Sequence, residues 1–384
     1  MTPKSPRHVS CHYVKGVVAV PANQTTAASK LLGSGPLSGS AISRLMGGET
    51  SGGAIGAITA SVAVFRVSGD PHSAASRLNQ AGVDASPVHG LGTMSHIGMM
   101  PGTKPAPATV KTDPVIPASS PGRLICVVDS GISTSTSKWM EKVLHDSVDV
   151  ETVNKRGGAS HGTFVAGLIR RIAPEHTVSL VRARTVPIAS LAPAHGKGNQ
   201  EGDAPTTELH VIEAVWRLIE RHRGDGCAVE ALNLSLGATC DAGHGSFVSL
   251  AQAIDLWRNA FPEADVFAAG GNSPSASPVY PGAFGHVRSV AAAAPGGRQV
   301  VWDAAGNIVS PPRRNWIDEV APGSLLVSPS GRTRREWVTW SGSSFATAVA
   351  TACHVSRRPF EAQGGLVYWP DQAVNYRDIP GLLV

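Results

Sequence analysis

Short apolar runs alternate with helix-like segments along the last two thirds of the chain, and this alternation constrains the fold more than any other feature. The run LICVV at 124–128 has no polar residue, which is typical of a parallel strand buried on both faces. Between Thr207 and His222, apolar residues recur at helical spacing. Repeated units of this kind predict an α/β domain, with a mainly parallel sheet and helices on both faces.

The composition changes along the chain of 384 residues. The stretch 102–122 holds five prolines and little apolar periodicity, which predicts a linker. Residues 1–122 contain nine basic and four acidic residues. They contain only two of the 20 aromatic residues of the chain, Tyr13 and Phe65. We therefore predict a small domain at 1–101, a linker at 102–122 and the α/β domain at 123–384.

The first region has a mixed pattern. Alternation predicts strands at His8–Val20 and Ala57–Val67, and a third at Val83–Leu91. Asp70 and Pro71 predict the start of a helix between the last two strands. This predicts a small α+β domain. With so few aromatic residues it has little material for a core of its own, so we expect it to be stabilised by docking onto the second region.

Four polar residues stand where strands end or helices begin. Asp129 follows the run 124–128, His161 and Ser344 each begin a predicted helix, and Asn272 follows a strand at 266–269. Singly, each has an ordinary explanation as a capping Asp, a surface His, an N-cap Ser or a turn Asn. Together they match the needs of a serine nucleophile, which requires a base in reach and a carboxylate to orient that base.

The residues around these positions make the pattern specific. VVDSGI at 127–132, HGTFVAG at 161–167 and SGSSFATA at 341–348 resemble the Asp, His and Ser motifs of the subtilisin-like serine peptidases, the subtilases, in the order of that family. AAGGN at 268–272 resembles the segment that carries the family's oxyanion-hole Asn. NLSLG at 233–237 resembles its substrate-lining strand. The resemblance covers about 123–365.

The resemblance implies a subtilisin-like fold and a serine endopeptidase that acts on protein or peptide substrates. Asp129, His161 and Ser344 would form the catalytic triad, and Asn272 would stabilise the oxyanion. A shallow pocket for small or medium apolar residues would have Val279 at its floor. The pocket walls would be formed by Leu234, Ser235, Leu236, Gly237, Ala268, Ala269 and Gly270.

Several residues depart from the family pattern. Phe164 stands in place of a second His, Gly270 in place of Ala, Ser343 in place of Thr and Ala348 in place of Pro. None of these removes a reacting group. They leave open a second class of function, a catalytically silent peptide-binding or scaffold protein on the same fold.

The first region resembles, in pattern and position, the inhibitory prodomain that precedes many subtilase domains. This implies an intramolecular partner that restrains the enzyme and is released by self-cleavage near 100–122. The alternative is a retained regulatory domain.

Other classes of function are disfavoured by the sequence. Neither GxGxxG nor GxxxxGK[ST] follows the first strand of the α/β region, which argues against a nucleotide-binding protein. No run of Lys or Arg exceeds two residues, so we expect no nucleic-acid partner and predict that the arginines at 313–314, 332–335 and 357–358 lie on solvated faces.

No cofactor or membrane partner is expected either, because the sequence has no metal-ligand spacing and no apolar segment of about 20 residues. Calcium is common in the family, but no ligands can be assigned here. Five cysteines without a CxxC and an N-terminus without an apolar core predict a cytoplasmic protein, unless the start is misassigned.

Overall fold

The structure is a computed structural model. It describes residues 12–48, 50–93, 105–108, 123–133, 152–153, 160–186, 191–192, 206–239, 247–294, 297–303, 305–329, 337–357, 368–369 and 372–373. Its helices are α1 (Thr25–Leu32), α2 (Gly39–Leu45), α3 (Gly52–Ser61), α4 (Pro71–Gln80), α5 (Ser160–Ile172), α6 (Glu208–His222), α7 (Val248–Ala260) and α8 (Ser343–Ser356), with a 3-10 turn at Ala22–Gln24.

The longer strands are β1 (Tyr13–Pro21), β2 (Val62–Arg66), β3 (Ser86–Thr93), β5 (Arg123–Asp129), β8 (Thr177–Arg182), β11 (Ala228–Leu234), β12 (Leu236–Thr239), β13 (Asp265–Ala269), β15 (Arg288–Ala293), β18 (Glu319–Pro322), β19 (Leu326–Pro329) and β20 (Trp337–Trp340). The two-residue strands are β4 (Ala106–Pro107), β6 (Ile132–Ser133), β7 (Thr152–Val153), β9 (Leu191–Ala192), β10 (Thr206–Thr207), β14 (Val279–Tyr280), β16 (Val301–Trp302), β17 (Ile308–Val309), β21 (Tyr368–Trp369) and β22 (Gln372–Ala373).

The central sheet of the second region is parallel in the order β8-β5-β11-β13-β15-β18, and β21 and β22 extend it in antiparallel fashion. Strand β5 shows why its sequence is wholly apolar. Ile125 and Val127 pack into the core with α5 and α8, whereas Cys126 and Val128 pack into the core with α6 and α7. Both faces are therefore covered by helices, and the predicted α/β class is confirmed.

The first region forms an antiparallel sheet in the order β2-β1-β3, with helices against it. Alternate residues of β1 face opposite sides. Val18 and Val20 pack against residues of α4 within the region, whereas Val17 and Ala19 belong to the core that contains α6 and α7. One face of this small sheet is thus buried against the second region.

Strand pairing also joins the two regions. Strand β3 pairs with β12 in antiparallel fashion, with Gly92 opposite Gly237 and Thr93 opposite Leu236. Strands β9 and β10 of the second region pair with β1 and β3. The sheet of the first region therefore runs into an edge of the second.

Two sequence predictions need correction. The strand predicted at Ala57–Val67 is wrong over its first half, because α3 continues to Ser61 and β2 begins at Val62. The Ser51 hydroxyl accepts from the Ala54 amide and caps α3, while Ala54 and Ile58, one turn apart, are buried. The predicted linker is not wholly irregular, since Ala106–Pro107 pairs with β20. Residues 8–11 of the first predicted strand lie outside the described residues.

Within the described part of the chain, no helix combines the length and the apolar character needed to cross a membrane.

Candidate active site

Asp129 and His161 meet at the carboxyl end of the central sheet. Asp129 ends β5 and His161 lies in the first turn of α5. His161 Nδ1 is 2.8 Å from Asp129 Oδ1 and 3.0 Å from Oδ2, and both side chains are fully buried. A carboxylate can only accept, so Nδ1 carries the hydrogen and Nε2 is left as the basic nitrogen. The Ser130 amide also donates to Asp129 Oδ1, at 2.7 Å.

Two glycines allow this close approach. A Cβ on Gly162 would lie 2.3 Å from the Gly131 carbonyl oxygen and 3.2 Å from Asp129 Oδ1. Gly131 itself has a φ of 90°, in the left-handed region that favours glycine. The backbone after β5 can therefore touch the first turn of α5 only with glycine at residue 162.

The imidazole of His161 lies among aromatic rings. Its centroid is 5.8 Å from that of Trp340, edge to face, and 5.2 Å from that of Phe345. Phe164 packs on Phe345 at 4.4 Å. Among the described residues, the buried Nε2 atom has no hydrogen-bond partner. A basic nitrogen is thus held in an apolar enclosure next to the residue that follows Ser344.

Ser344 lies in the first turn of α8, after Gly342. Its Oγ donates to the Ser235 carbonyl at 3.0 Å, and Ser235 Oγ bonds to the Ser344 carbonyl at 2.7 Å. Ser344 is 1% exposed. The structure therefore brings Ser344 against Ser235, and it does not show the hydrogen bond between Ser344 and His161 that a formed triad would have.

Asn272 lies beside the same turn. Its Oδ1 accepts from the Ser343 amide at 2.7 Å. A Cβ on Gly342 would lie 3.4 Å from Asn272 Nδ2, so the amide nitrogen faces the turn that leads into Ser344. The Ser344 amide is one of the first in α8, and these have no acceptor within the helix. Two N–H donors therefore lie close to the serine.

The predicted pocket residues divide into two groups. Leu234, Ser235, Leu236 and Gly237 run from the end of β11 into β12, and Ala268, Ala269 and Gly270 lie at the end of β13. The two strands are neighbours at the same end of the sheet as Asp129. Val279 is paired with Thr239, further along β12. The edge of β12 at Leu236 and Gly237 is already paired with β3.

One arginine predicted to lie on a solvated face is buried. Residues 313–314 were predicted to be solvated, but Arg314 is buried and binds the backbone around Asn272, whereas Arg313 is exposed. No motif marks Arg314, because the signal for a buried guanidinium is three-dimensional. Arg357 is exposed as predicted, and 332–335 lie outside the described residues.

A second Ser–His–Asp set occurs elsewhere in the fold. His222 Nε2 is 2.8 Å from Ser179 Oγ, and His222 Nδ1 is 2.8 Å from Asp225 Oδ2. Ser179 lies within β8 and is fully buried. Among the residues that the structure describes, no group of three or more potential metal ligands occurs.

Comparison with known proteins identifies the family. The model of the subtilase family matches residues 120–372, which is more than half of the chain. The chain belongs to the subtilase family. It is a subtilisin-like serine endopeptidase. No curated protein matches it.

One solved structure, that of an enzyme related to subtilisin, shares the fold, and two others are also similar. The crystal structure of fervidolysin from Fervidobacterium pennivorans, a keratinolytic enzyme related to subtilisin, aligns with a TM-score of 0.54 and 12% identity, over 98% of this chain and 61% of that one. The prenylagaramide maturation protease PagA aligns with a TM-score of 0.45 and 19% identity, over 64% of this chain and 76% of that one. The self-cleaved protease domain of PatA aligns with a TM-score of 0.43 and 18% identity, over 61% and 79%.

Proposed function

We propose that this subtilase cleaves peptide bonds with Ser344 as nucleophile, His161 as general base and Asp129 as the orienting carboxylate. The observation that supports this most is the buried pair of His161 and Asp129, which fixes the tautomer and leaves Nε2 as the base. Ser344 Oγ would leave the Ser235 carbonyl, give its proton to Nε2 and attack the substrate carbonyl. Nε2 then protonates the leaving amine, and water hydrolyses the acyl-enzyme by the reverse transfer.

The oxyanion of the tetrahedral intermediate would be stabilised by Asn272 Nδ2 and by the Ser344 amide. Both donors are supported by geometry, since Asn272 is fixed against the turn before Ser344 through the Ser343 amide. The start of α8 adds the partial positive charge of a helix N-terminus. Loss of a side-chain donor of this kind lowers kcat about 10²–10³-fold, as it does in subtilisin.

The first region would act as an intramolecular inhibitor. We keep the division into 1–101, 102–122 and 123–384 as part of this proposal. Its support is the pairing of Gly92 and Thr93 with Gly237 and Leu236, since an extended substrate would add to the same edge. A substrate could therefore add to this edge only after β3 has left it, as in a latent enzyme.

Buried polar contacts hold the inhibitor in place. Glu208 Oε1 accepts from the His89 amide at 2.8 Å and is 2.6 Å from His89 Nδ1, while its Oε2 accepts from the Leu250 amide at 2.9 Å. Ser86 Oγ accepts from the Val248 amide at the start of α7. His89, Ser86 and Glu208 would lose these partners if the regions separated, so separation carries a cost in free energy.

The register between β3 and β12 indicates where self-cleavage would occur. A substrate that keeps the register of β3 presents its next residue opposite Ser235, whose carbonyl already binds Ser344 Oγ. In this chain the residue after Thr93 is Met94. We therefore expect cleavage between Met94 and Ser95, before the segment 100–122 that the resemblance to a prodomain implies. A medium-sized apolar residue before the cut also agrees with the pocket predicted from the sequence.

Fluorophosphonate labelling tests the nucleophile. We expect the wild-type chain to be labelled at Ser344 once, and Ser344→Ala not to be labelled. Ser179→Ala is the matched control, because Ser179 has the same kind of His–Asp partner set but lies in the middle of strand β8 and not at a helix start. It should be labelled like wild type. Labelling of Ser344→Ala would contradict the assignment.

Intact mass tests self-cleavage. We expect wild type to yield fragments 1–94 and 95–384, and Ser344→Ala to keep its full mass. Processing of Ser344→Ala at the same bond would show that another protease is responsible. A wild-type chain that is labelled at Ser344 but never cut would favour a retained regulatory domain.

One observation favours the alternative of a silent peptide-binding protein. Ser344 Oγ donates to the Ser235 carbonyl and not to His161. If this is the permanent state of the serine, a peptide could still add to the β12 edge without being cut. In that case the chain would bind a peptide but take up no fluorophosphonate.

A further inference from the structure

Arg314 is a buried arginine whose guanidinium donates to four backbone carbonyls of the short loop 270–275. Nε donates to the Ser275 carbonyl at 3.0 Å. Nη1 donates to the carbonyls of Gly270 at 3.3 Å and Gly271 at 3.2 Å, and Nη2 donates to that of Ser273. Its guanidinium also lies 5.7 Å from the ring centroid of Trp316. The planar guanidinium thus binds four carbonyl oxygens of the loop at once.

The loop held in this way contains Asn272. The Asn272 carbonyl is taken by the Trp302 amide at 2.8 Å, so every carbonyl from residue 270 to residue 273 has a donor. Without Arg314, three of these carbonyls would be buried without a partner, which is costly. The backbone path on both sides of Asn272 therefore depends on the guanidinium.

Gly270 gives independent evidence that the segment of Arg314 is built against this loop. A Cβ on Gly270 would lie 2.6 Å from Ile317 Cδ1 and 2.9 Å from the Val290 carbonyl oxygen. The segment 314–317 thus occupies the space that a side chain at residue 270 would need. This gives a physical reason for the departure from the family's alanine at that position.

On its other side, the loop is tied to the nucleophile turn. The Gly271 amide donates to Ser343 Oγ at 3.0 Å, and the Ser343 amide donates to Asn272 Oδ1 at 2.7 Å. Rigid contacts therefore run from Arg314 through the loop to the residue before Ser344. A shift of the loop would move Asn272 Nδ2 relative to the serine.

We propose that Arg314 is a positioning residue, which acts through the backbone of loop 270–275 to set Asn272 for oxyanion stabilisation. This rests on the proposed function, because it assigns Asn272 as the oxyanion donor. Burial lowers the pKa of Arg314 to about 10, so the guanidinium stays charged at neutral pH. Lysine cannot replace it, since one ammonium lacks the planar fork that reaches four carbonyls.

The test is a kinetic cycle on protein expressed as the full chain and left to process itself, with hydrolysis of a peptide anilide as the readout. Arg314→Lys should lower kcat about 10–100-fold with KM within about threefold of wild type, because only a transition-state contact is disturbed. Arg313→Lys changes the exposed neighbour and should leave both constants unchanged. Asn272→Ala should lower kcat about 10²–10³-fold.

The double variant decides the mechanism. If Arg314 acts through Asn272, Arg314→Lys should have little further effect once Asn272 is alanine, and the double variant should match Asn272→Ala within about threefold. Effects that multiply in the double variant would overturn the proposal. A raised KM with an unchanged kcat in Arg314→Lys would also overturn it.

A second perturbation covers the case in which Arg314→Lys does not fold. Gly270→Ala pushes on Ile317 from the other side and should also lower kcat without adding to Asn272→Ala. Multiplicative effects here count against the proposal in the same way. A wild-type chain with neither hydrolysis nor fluorophosphonate labelling would overturn the proposed function as well, whereas an active wild type with multiplicative effects would overturn the role of Arg314 alone.

Discussion

Replacing Gly162 by alanine should misplace the catalytic histidine by a distance that the structure defines. The new Cβ would lie 2.3 Å from the Gly131 carbonyl oxygen, whereas ordinary contacts begin at 3.4 Å. Relief of the clash needs a shift of about 1 Å. Because His161 precedes Gly162 directly, its imidazole must move with the backbone. Misplacement of a reacting group by about 1 Å can cost about 10²-fold in rate, or about 2.7 kcal/mol in the barrier.

The assay is kcat/KM for a peptide anilide, with thermal unfolding to confirm that Gly162→Ala is folded. Gly56→Ala is the matched control, because Gly56 lies on the exposed side of α3 with no heavy atom within 4 Å of its added Cβ. It should keep full activity and gain about 0.5–1 kcal/mol of stability. A folded Gly162→Ala that keeps more than about a third of the wild-type kcat/KM would refute the reasoning, since about 10²-fold is expected from the displacement.

Two further changes probe how the regions dock. In Gly53→Ala the added Cβ would lie 2.5 Å from the ring of Trp216 on α6, so docking of the first region should weaken. The initial rate of peptide hydrolysis by the full chain should then rise above that of Gly56→Ala. An equal or lower rate would argue against inhibition by the first region. Burial lowers the pKa of His210, which donates to the Met46 carbonyl, to about 4. The unfolded chain therefore binds more protons between pH 6.5 and 4, and stability falls as the pH falls through that window. Between pH 7 and 5, the free energy of unfolding of His210→Gln should therefore fall by about 2 kcal/mol less than that of wild type. An unchanged pH dependence would show that His210 is not the group concerned.

Elements with strong local signals could be predicted from the sequence. The apolar run 124–128 was a reliable signal of a strand covered on both faces, and it lies within β5. Asp70 and Pro71 mark the start of α4, where the Asp70 carboxylate accepts from the Ser73 amide. Cap chemistry and apolar periodicity act over a few residues, so they can be recognised without knowledge of the fold.

Elements that depend on distant contacts could not be predicted in this way. The small and β-branched residues of α3 fit a strand as well as a helix. The observed helix packs on α6, where Gly53 lies against the ring of Trp216. Ala106–Pro107 pairs with β20, a strand more than 200 residues away, although its prolines indicate a linker. Arg314 looks like a surface residue until the loop 270–275 folds around it.

The set of Ser179, His222 and Asp225 shows why the three residue types do not by themselves make a serine peptidase site. Its hydrogen bonds are complete, whereas those of the proposed triad are not. Yet Ser179 lies in the middle of strand β8 and is fully buried, and it stands neither at the end of a strand nor at the start of a helix. Ser344 lies where a helix start, the Asn272 loop and the β12 edge converge. The motif glycines, such as Gly162, shape the backbone there, and this is why the flanking residues carry more information about function than the triad alone.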